Sequence, residues 1–154
     1  MNTQRRQTLQ RASGLAVIAA AISAGILPAS AFANWNKAAF DAKNLNDVVK
    51  AMGGSVAEKS TDIVITAPDI AENGAVVPVA VASKIANTQS ISILVEKNPS
   101  SLAAEFEILA GTEANVGTRV KMGQSSNVHA VVKAGGKYYV ATKEVKVTLG
   151  GCGG

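Results

Sequence analysis

The sequence predicts a mainly β protein: an antiparallel β-sandwich with a helix before it and a flexible glycine-rich arm after it. Residues 34–52 repeat apolar side chains at three- and four-residue spacings, which is the period of an amphipathic helix. Beyond Gly53-Gly54 the chain changes to short runs rich in β-branched residues, separated by turn residues about every ten positions. No second helical segment of comparable strength follows, which argues against a βαβ sheet.

Seven runs are predicted as strands: Asp62–Thr66, Val76–Val81, Ile91–Glu96, Ala104–Leu109, Thr118–Met122, Val128–Val132 and Tyr138–Leu149. We therefore assign residues 34–53 to the helix, 54–149 to the sandwich and 150–154 to the arm. Both alternating faces of Val76–Val81 are apolar, which predicts a strand that is covered on both sides or meets a partner. Pro78 cannot donate to a ladder and favours an edge or a bulge. Lys143 interrupts the apolar alternation of the last strand and indicates a bulge there.

Residues 1–33 have the pattern of a secretory signal peptide. Arg5, Arg6 and Arg11 give a positive start, and a short apolar stretch follows from Leu15 to Leu27. Ala31-Phe32-Ala33 is an A-x-A cleavage site, which places the mature start near Asn34. The Arg5-Arg6 pair resembles a twin-arginine export signal. The alternative is a permanent N-terminal anchor, although the apolar stretch is short for a membrane span.

The charge of the chain argues against nucleic-acid binding once the signal is removed. The full sequence has 15 basic and 11 acidic residues and a formal net charge of +4. Three of the basic residues and none of the acidic ones precede residue 34, so the mature chain is close to neutral. It contains no basic cluster interleaved with aromatic residues.

A single cysteine, Cys152, lies in the terminal Gly150-Gly151-Cys152-Gly153-Gly154. One cysteine and one histidine exclude an intramolecular disulfide and a cysteine-rich metal cluster. Glycine has the widest backbone freedom, so the segment is expected to be a mobile tether whose root is fixed by the last strand. A thiol on such a tether reaches into the active sites of other proteins, which predicts a covalent carrier of sulfur groups.

Other interpretations of these residues stay open at this stage. Cys152 is alternatively an incidental residue of a frayed terminus, or it forms an interchain disulfide. A thiol-dependent enzyme would need a fixed base beside Cys152, and His129 is predicted within a strand, where facing solvent or a neighbour is the commoner role. The nearest cations, Lys143 and Lys146, are several residues upstream, so we expect partner enzymes to activate the thiol.

Two acidic pairs are candidates for a cation site, namely Glu105 with Glu107 and Asp69 with Glu72. Solvated charges on a strand or loop are the commoner role of such pairs. We predict no metal and no cofactor bound to the chain itself.

Four segments carry a family resemblance: Lys146–Gly154, Asp69–Val79, Arg119–Gly123 and Gly135–Tyr139. They are similar to the SoxY family, the sulfur-carrier subunits of the bacterial thiosulfate-oxidising (Sox) system. The terminal segment is the most specific of the four, and Cys152 matches the carrier cysteine of the family. The resemblance covers essentially the whole chain.

The resemblance implies an immunoglobulin-like β-sandwich that forms a heterodimer with a SoxZ-like companion subunit in the periplasm. It also implies that the carrier is not itself an enzyme. A haem c-containing enzyme, SoxAX, would join thiosulfate oxidatively to Cys152, and the hydrolase SoxB would release sulfate. A sulfur dehydrogenase, where present, would oxidise the remaining sulfur.

Overall fold

Two β-sheets make up most of the structure, a computed structural model that describes residues 36–148. The predicted signal peptide (1–33), Leu149 and the arm (150–154) lie outside the described residues. The chain runs through α1 (Lys37–Asp41), α2 (Leu45–Ala51), β1 (Ala57–Lys59), β2 (Ile63–Thr66), β3 (Ile70–Ala71), β4 (Val77–Ser83), β5 (Thr88–Val95), β6 (Leu102–Glu107), β7 (Asn115–Val120), β8 (Ser126–Ala134) and β9 (Lys137–Val147). Within this part of the chain no helix has the length and apolar character needed to cross a membrane.

The larger sheet has the order β1-β9-β8-β5-β6, with β3 also paired to β9, and the smaller sheet has the order β2-β4-β7. This arrangement confirms the predicted mainly β fold with two sheets. All pairings are antiparallel except those of β1 and β3, which run parallel to β9. These two short strands were not predicted, because two or three residues carry no recognisable alternation of side chains.

The space between the sheets holds the main core. Alternate residues of the strands point into it. Fourteen of them, together with Met122 after β7, form one buried cluster: Ile63, Ala71, Val77, Val79, Val81, Ile91, Ile93, Val95, Val120, Met122, Val128, Ala130, Val132, Ala134 and Val145. Six of the seven predicted strands supply thirteen of its fifteen members. The predicted strands therefore contain most of the residues that fill the sandwich.

The helical segment is divided in two rather than continuous. Ala42 has extended backbone (ψ 143°), and Asn44, also extended, caps α2 by accepting a hydrogen bond from the Asp47 N–H at 2.9 Å. The segment ends as predicted near Met52, where Gly53 takes a left-handed φ of 90°. The helices cover a second buried cluster on the outer face of the larger sheet: Ala39, Val48, Val49, Leu94, Leu102, Val131, Tyr138 and Val140.

The strand β4 is the middle strand of the smaller sheet, although Pro78 favoured an edge. Its pairing with β2 covers only Ala80–Ser83, whereas its pairing with β7 covers Val77–Ala82. Pro78 therefore lies beyond the end of β2, so β4 is locally an edge at that residue. The missing N–H of proline leaves no ladder hydrogen bond unmade on that side.

Candidate functional site

The last strand, β9, carries the candidate site, because it leads into the segment that contains the cysteine. Cys152 and Gly150, Gly151, Gly153 and Gly154 lie outside the described residues. β9 ends at Val147, five residues before Cys152. The structure therefore describes the base from which the cysteine-bearing segment starts.

Hydrogen bonds on both sides fix the end of β9. On one side the N–H groups of Lys146 and Thr148 donate to the carbonyl oxygens of Asp69 (3.0 Å) and Ala71 (3.1 Å). On the other side the N–H of Val147 donates to the hydroxyl of Ser125 at 2.9 Å. Backbone groups tied on both sides resist local opening, so the segment starts from a rigid point.

Gly74 packs against the same end of β9. Its carbonyl oxygen accepts a hydrogen bond from the Met122 N–H at 2.7 Å. A Cβ at this position would lie against the Met122 carbonyl oxygen and 2.8 Å from Cγ1 of Val147. Only glycine allows the three segments to approach this closely. We call these packed residues, Gly74, Met122, Ser125 and Val147, the root clamp.

Lys143 does not mark a bulge, and that expectation was wrong. The register between β8 and β9 runs without a shift from Ser126↔Val145 to Ala134↔Lys137. The ammonium of Lys143 donates to the carbonyl oxygen of Ala67 at 2.7 Å and pairs with the carboxylate of Asp69 at 3.0 Å. Its charged end thus reaches the chain between β2 and β3, which explains a lysine in an otherwise apolar pattern.

His129 is held within the larger sheet. Its Nδ1 lies 2.8 Å from the Thr142 hydroxyl, and its Nε2 lies 3.8 Å from a carboxylate oxygen of Glu96. Asn127 donates to that same oxygen of Glu96 at 2.8 Å. The His129 side chain is only 12% exposed. Burial lowers its pKa, and the nearby Glu96 carboxylate opposes this by favouring the charged ring.

This lowered pKa predicts that acid destabilises the protein through His129. Below an unfolded pKa near 6.5 the unfolded chain takes up the proton more readily than the folded one, so stability is full above that pH and falls below it. We expect His129→Gln to flatten the dependence of the unfolding free energy between pH 7.5 and pH 5. Urea titrations at several pH values measure it.

The matched variant for that series is Glu96→Gln. It removes the charge that favours protonated His129, so the fall of stability on acidification is expected to steepen. Equal slopes for the wild type and His129→Gln would contradict the assignment.

The acidic pairs show no arrangement of metal ligands. Between residues 36 and 148 no three histidine, cysteine or carboxylate side chains come together as a metal site. Asp69 is engaged by Lys143. Glu105 and Glu107 lie on β6, where burial, and then the charge of Glu107, raise the pKa of Glu105. Partial burial and repulsion by Glu107 therefore account for the raised pKa of Glu105.

Comparison with known proteins gives a family match and several similar solved structures. The family model described as "Sulfur oxidation protein SoxY" matches residues 48–152, a span that includes Cys152. The structure is similar to the sulfur carrier protein SoxY from Chlorobium limicola f thiosulfatophilum, with 43% identity, a TM-score of 0.59, and coverage of 67% of this chain and 96% of that one. No curated protein matches the sequence.

Two more distant structures share the fold alone. Both are superoxide reductases (neelaredoxin) from Ignicoccus hospitalis, with 18% and 19% identity and TM-scores of 0.50. Each comparison covers 56% of this chain and 79% or 80% of the other.

Proposed function

This chain belongs to the SoxY family, and from that premise we propose that it is a periplasmic covalent sulfur carrier with Cys152 as its attachment residue. The observation that carries the proposal is the position of the cysteine. It is the single cysteine of the sequence, it lies within the matched span, and it follows a strand end that is tied on both sides.

In this proposal residues 150–154 serve to carry the Cys152 thiol away from the sandwich and into partner enzymes. Each extended residue spans about 3.3–3.6 Å, so four extended residues from Thr148 to Cys152 would span on the order of 13 Å. Cys152 has two glycines on each side in the sequence, Gly150 and Gly151 before it and Gly153 and Gly154 after it, and glycine has no side chain and the widest backbone freedom. A thiol so carried enters an enzyme channel while the sandwich stays outside.

Loading is an oxidation that joins two sulfur atoms. The Cys152 thiolate and the outer sulfur of thiosulfate form a disulfide-type bond, and two electrons leave to the haem c-containing enzyme SoxAX. The product is a cysteine S-thiosulfonate. The carrier supplies only the thiolate, because its nearest cations, Lys143 and Lys146, belong to the strand behind the arm. Activation of the thiolate is assigned to the pockets of the partner enzymes.

Unloading consumes water. The hydrolase SoxB would cleave the thiosulfonate to sulfate and two protons, which leaves one sulfur on Cys152 as a persulfide. Where a sulfur dehydrogenase is present, it would oxidise that remaining sulfur for a further hydrolysis. In this scheme the carrier needs no metal or cofactor of its own and is not an enzyme.

The proposal includes a SoxZ-like companion subunit and export from the cytoplasm. The signal-like residues 1–33 with Arg5-Arg6 support export, and a twin-arginine route would carry an already assembled pair across the membrane. The alternative is an exported β-sandwich interaction module linked by an interchain disulfide. Such a module would keep its partner binding and its biological function after residues 150–154 are deleted, although the interchain disulfide would be lost with Cys152.

Intact-mass analysis of the protein from thiosulfate-grown cells tests the carrier function. We expect sulfur adducts that map to the C-terminal peptide and disappear on treatment with a thiol reductant. Protein from cells grown without reduced sulfur compounds is the control. A cysteine that never carries sulfur under these conditions would refute the proposal.

A further inference from the structure

The chain between β2 and β3 crosses from the smaller sheet to the larger one and ends against β9, the strand that leads into residues 150–154. β2 belongs to the smaller sheet, whereas β3 pairs with β9 of the larger sheet. We call residues 67–71, which include β3, the crossing segment. The carbonyl oxygens of Asp69 and Ala71 accept the hydrogen bonds that fix one side of the end of β9. The position of the crossing segment therefore decides whether that side of β9 is held.

Little of the crossing segment is buried. Ala71 lies in the main core at 5% exposure, and Ala67 packs against the edge of that core. Between them Asp69 and Ile70 are exposed, Ile70 at 58%. An open groove of about 610 Å³ borders Ala67 and Pro68, so the described chain does not cover that side of the segment. β3 has only two residues, too few to remain paired through their own hydrogen bonds, so the segment needs a further contact.

Lys143 of β9 supplies this contact. Its ammonium donates to the carbonyl oxygen of Ala67 at 2.7 Å and pairs with the carboxylate of Asp69 at 3.0 Å. Between residues 36 and 148 no other side chain forms a hydrogen bond or an ion pair with the crossing segment. The Asp69 side chain is 88% exposed, so water screens the ion pair. The Lys143 side chain is 31% exposed and its bond to Ala67 is charge-assisted, so we expect that bond to contribute more.

A lysine on β9 has an alternative role, because a cation near a thiol lowers the pKa of the thiol. Lys146 is three residues nearer to Cys152 in the sequence and is exposed. An effect of this kind is therefore expected to be larger for Lys146. The ammonium of Lys143 is directed instead to residues 67 and 69, which favours a positional role.

We propose that Lys143 is a positioning residue for the loading of Cys152, because it holds the crossing segment on β9 and so fixes the point from which the arm starts. This inference rests on the proposed carrier function. A strand end held on both sides is ordered before it meets a partner enzyme, so less conformational freedom is lost on binding. The same order is needed in the bound complex and in the transition state. Its loss therefore raises the KM for the carrier and leaves kcat nearly unchanged.

Loading assays with SoxAX and thiosulfate test the positioning role. Lys143→Met removes the ammonium and keeps an apolar side chain, and it is expected to raise the KM for the carrier more than about threefold with kcat within about twofold of wild type. Lys143→Arg retains a cationic donor and is expected to restore the wild-type KM to within about twofold. Asp69→Asn removes only the screened ion pair and is also expected to stay within about twofold. Lys146→Met is the matched control, since it removes an exposed lysine of the same strand and leaves both contacts of Lys143 in place.

Amide exchange tests the crossing segment without any partner enzyme. In Lys143→Met the N–H groups of Lys146 and Thr148, which donate to this segment, are expected to exchange more than about fivefold faster. The N–H of Val147 donates to Ser125 on the other side and is expected to change by less than about twofold. A general loss of stability would accelerate all three amides alike, and thermal melting of each variant measures that loss separately.

The outcomes separate this inference from the proposed function. Unchanged exchange at Lys146 and Thr148 in Lys143→Met, or an equal rise in KM for Lys143→Met and Lys146→Met, would overturn the positioning role. A shifted pH midpoint for alkylation of Cys152 in Lys143→Met would overturn it too, because Lys143 would then act on the thiol. If SoxAX does not load the wild type, the proposed function fails and the positioning of loading fails with it. Amide exchange would still decide whether Lys143 holds the crossing segment.

Discussion

A chain carrying Cys152→Ser is expected to fold like the wild type and to support no thiosulfate oxidation. Among the described residues the two buried clusters are built from residues 39–145. Cys152 follows the last strand in the sequence, so serine is expected to leave both clusters intact. Serine is close to cysteine in size but has no low-pKa thiol and forms no sulfur–sulfur bond. We therefore expect a complete loss of thiosulfate oxidation, caused by the missing thiol and not by unfolding. Thiosulfate-dependent reduction of SoxAX by the variant, with a thermal melt alongside, measures it.

Valine substitutions at the glycines that flank Cys152 test whether these glycines affect access of partner enzymes to the thiol or the reactivity of the thiol itself. Gly151→Val and Gly153→Val keep the thiol but widen and stiffen the tip. We expect both variants to react normally with a small thiol reagent and slowly with the partner enzymes. Equal losses in the two assays would show that the glycines tune the thiol itself. Residual thiosulfate oxidation by Cys152→Ser would contradict the assignment of Cys152 as the carrier.

The sequence predicted those strands whose segments were long enough to show a β-branched, apolar pattern between turn residues. All seven predicted strands overlap observed ones, and their inward residues supply most of the buried core. β1 and β3 were missed because their two or three residues are held by the edge of β9 and not by their own pattern. The division of the helix at Ala42–Asn44 was missed as well. Asn44 caps α2 in the structure, but the helical spacing of apolar residues continues across it in the sequence.

Only part of the candidate site could be predicted from the sequence. The uniqueness of Cys152 and its glycine neighbours are properties of the sequence and needed no structure. The root clamp depends on contacts between segments far apart in the chain, such as Ser125 with Val147. No local sequence pattern predicts such a contact. Lys143 shows the same limit. Its place in the strand pattern indicated a bulge, but its actual partners are Ala67 and Asp69, more than seventy positions away.

The root clamp predicts a large effect for Gly74→Ala. The added Cβ would press on the Met122 carbonyl and on Val147, and both are constrained: Met122 is 2% exposed, and the N–H of Val147 is bonded to Ser125. Overpacking of this kind costs about 1–3 kcal/mol. We expect a lower unfolding free energy in urea and faster amide exchange at Val147 and Thr148, because the displaced groups hold the end of β9.

The matched control is Gly123→Ala, one residue after Met122. A Cβ added at Gly123 would meet no atom within 4 Å, and the φ of Gly123 is not left-handed, so alanine there is expected to leave stability unchanged or to raise it by less than about 1 kcal/mol. The contrast assigns the Gly74 effect to the clamp and not to a general intolerance of side chains near the arm. Under the proposed function a rigid base also matters for loading, because delivery of Cys152 to a partner enzyme would be reproducible only from a fixed starting point. Gly74→Ala is therefore expected to slow loading by SoxAX while Gly123→Ala does not, and equal loading rates would separate the stability of the clamp from delivery of the thiol.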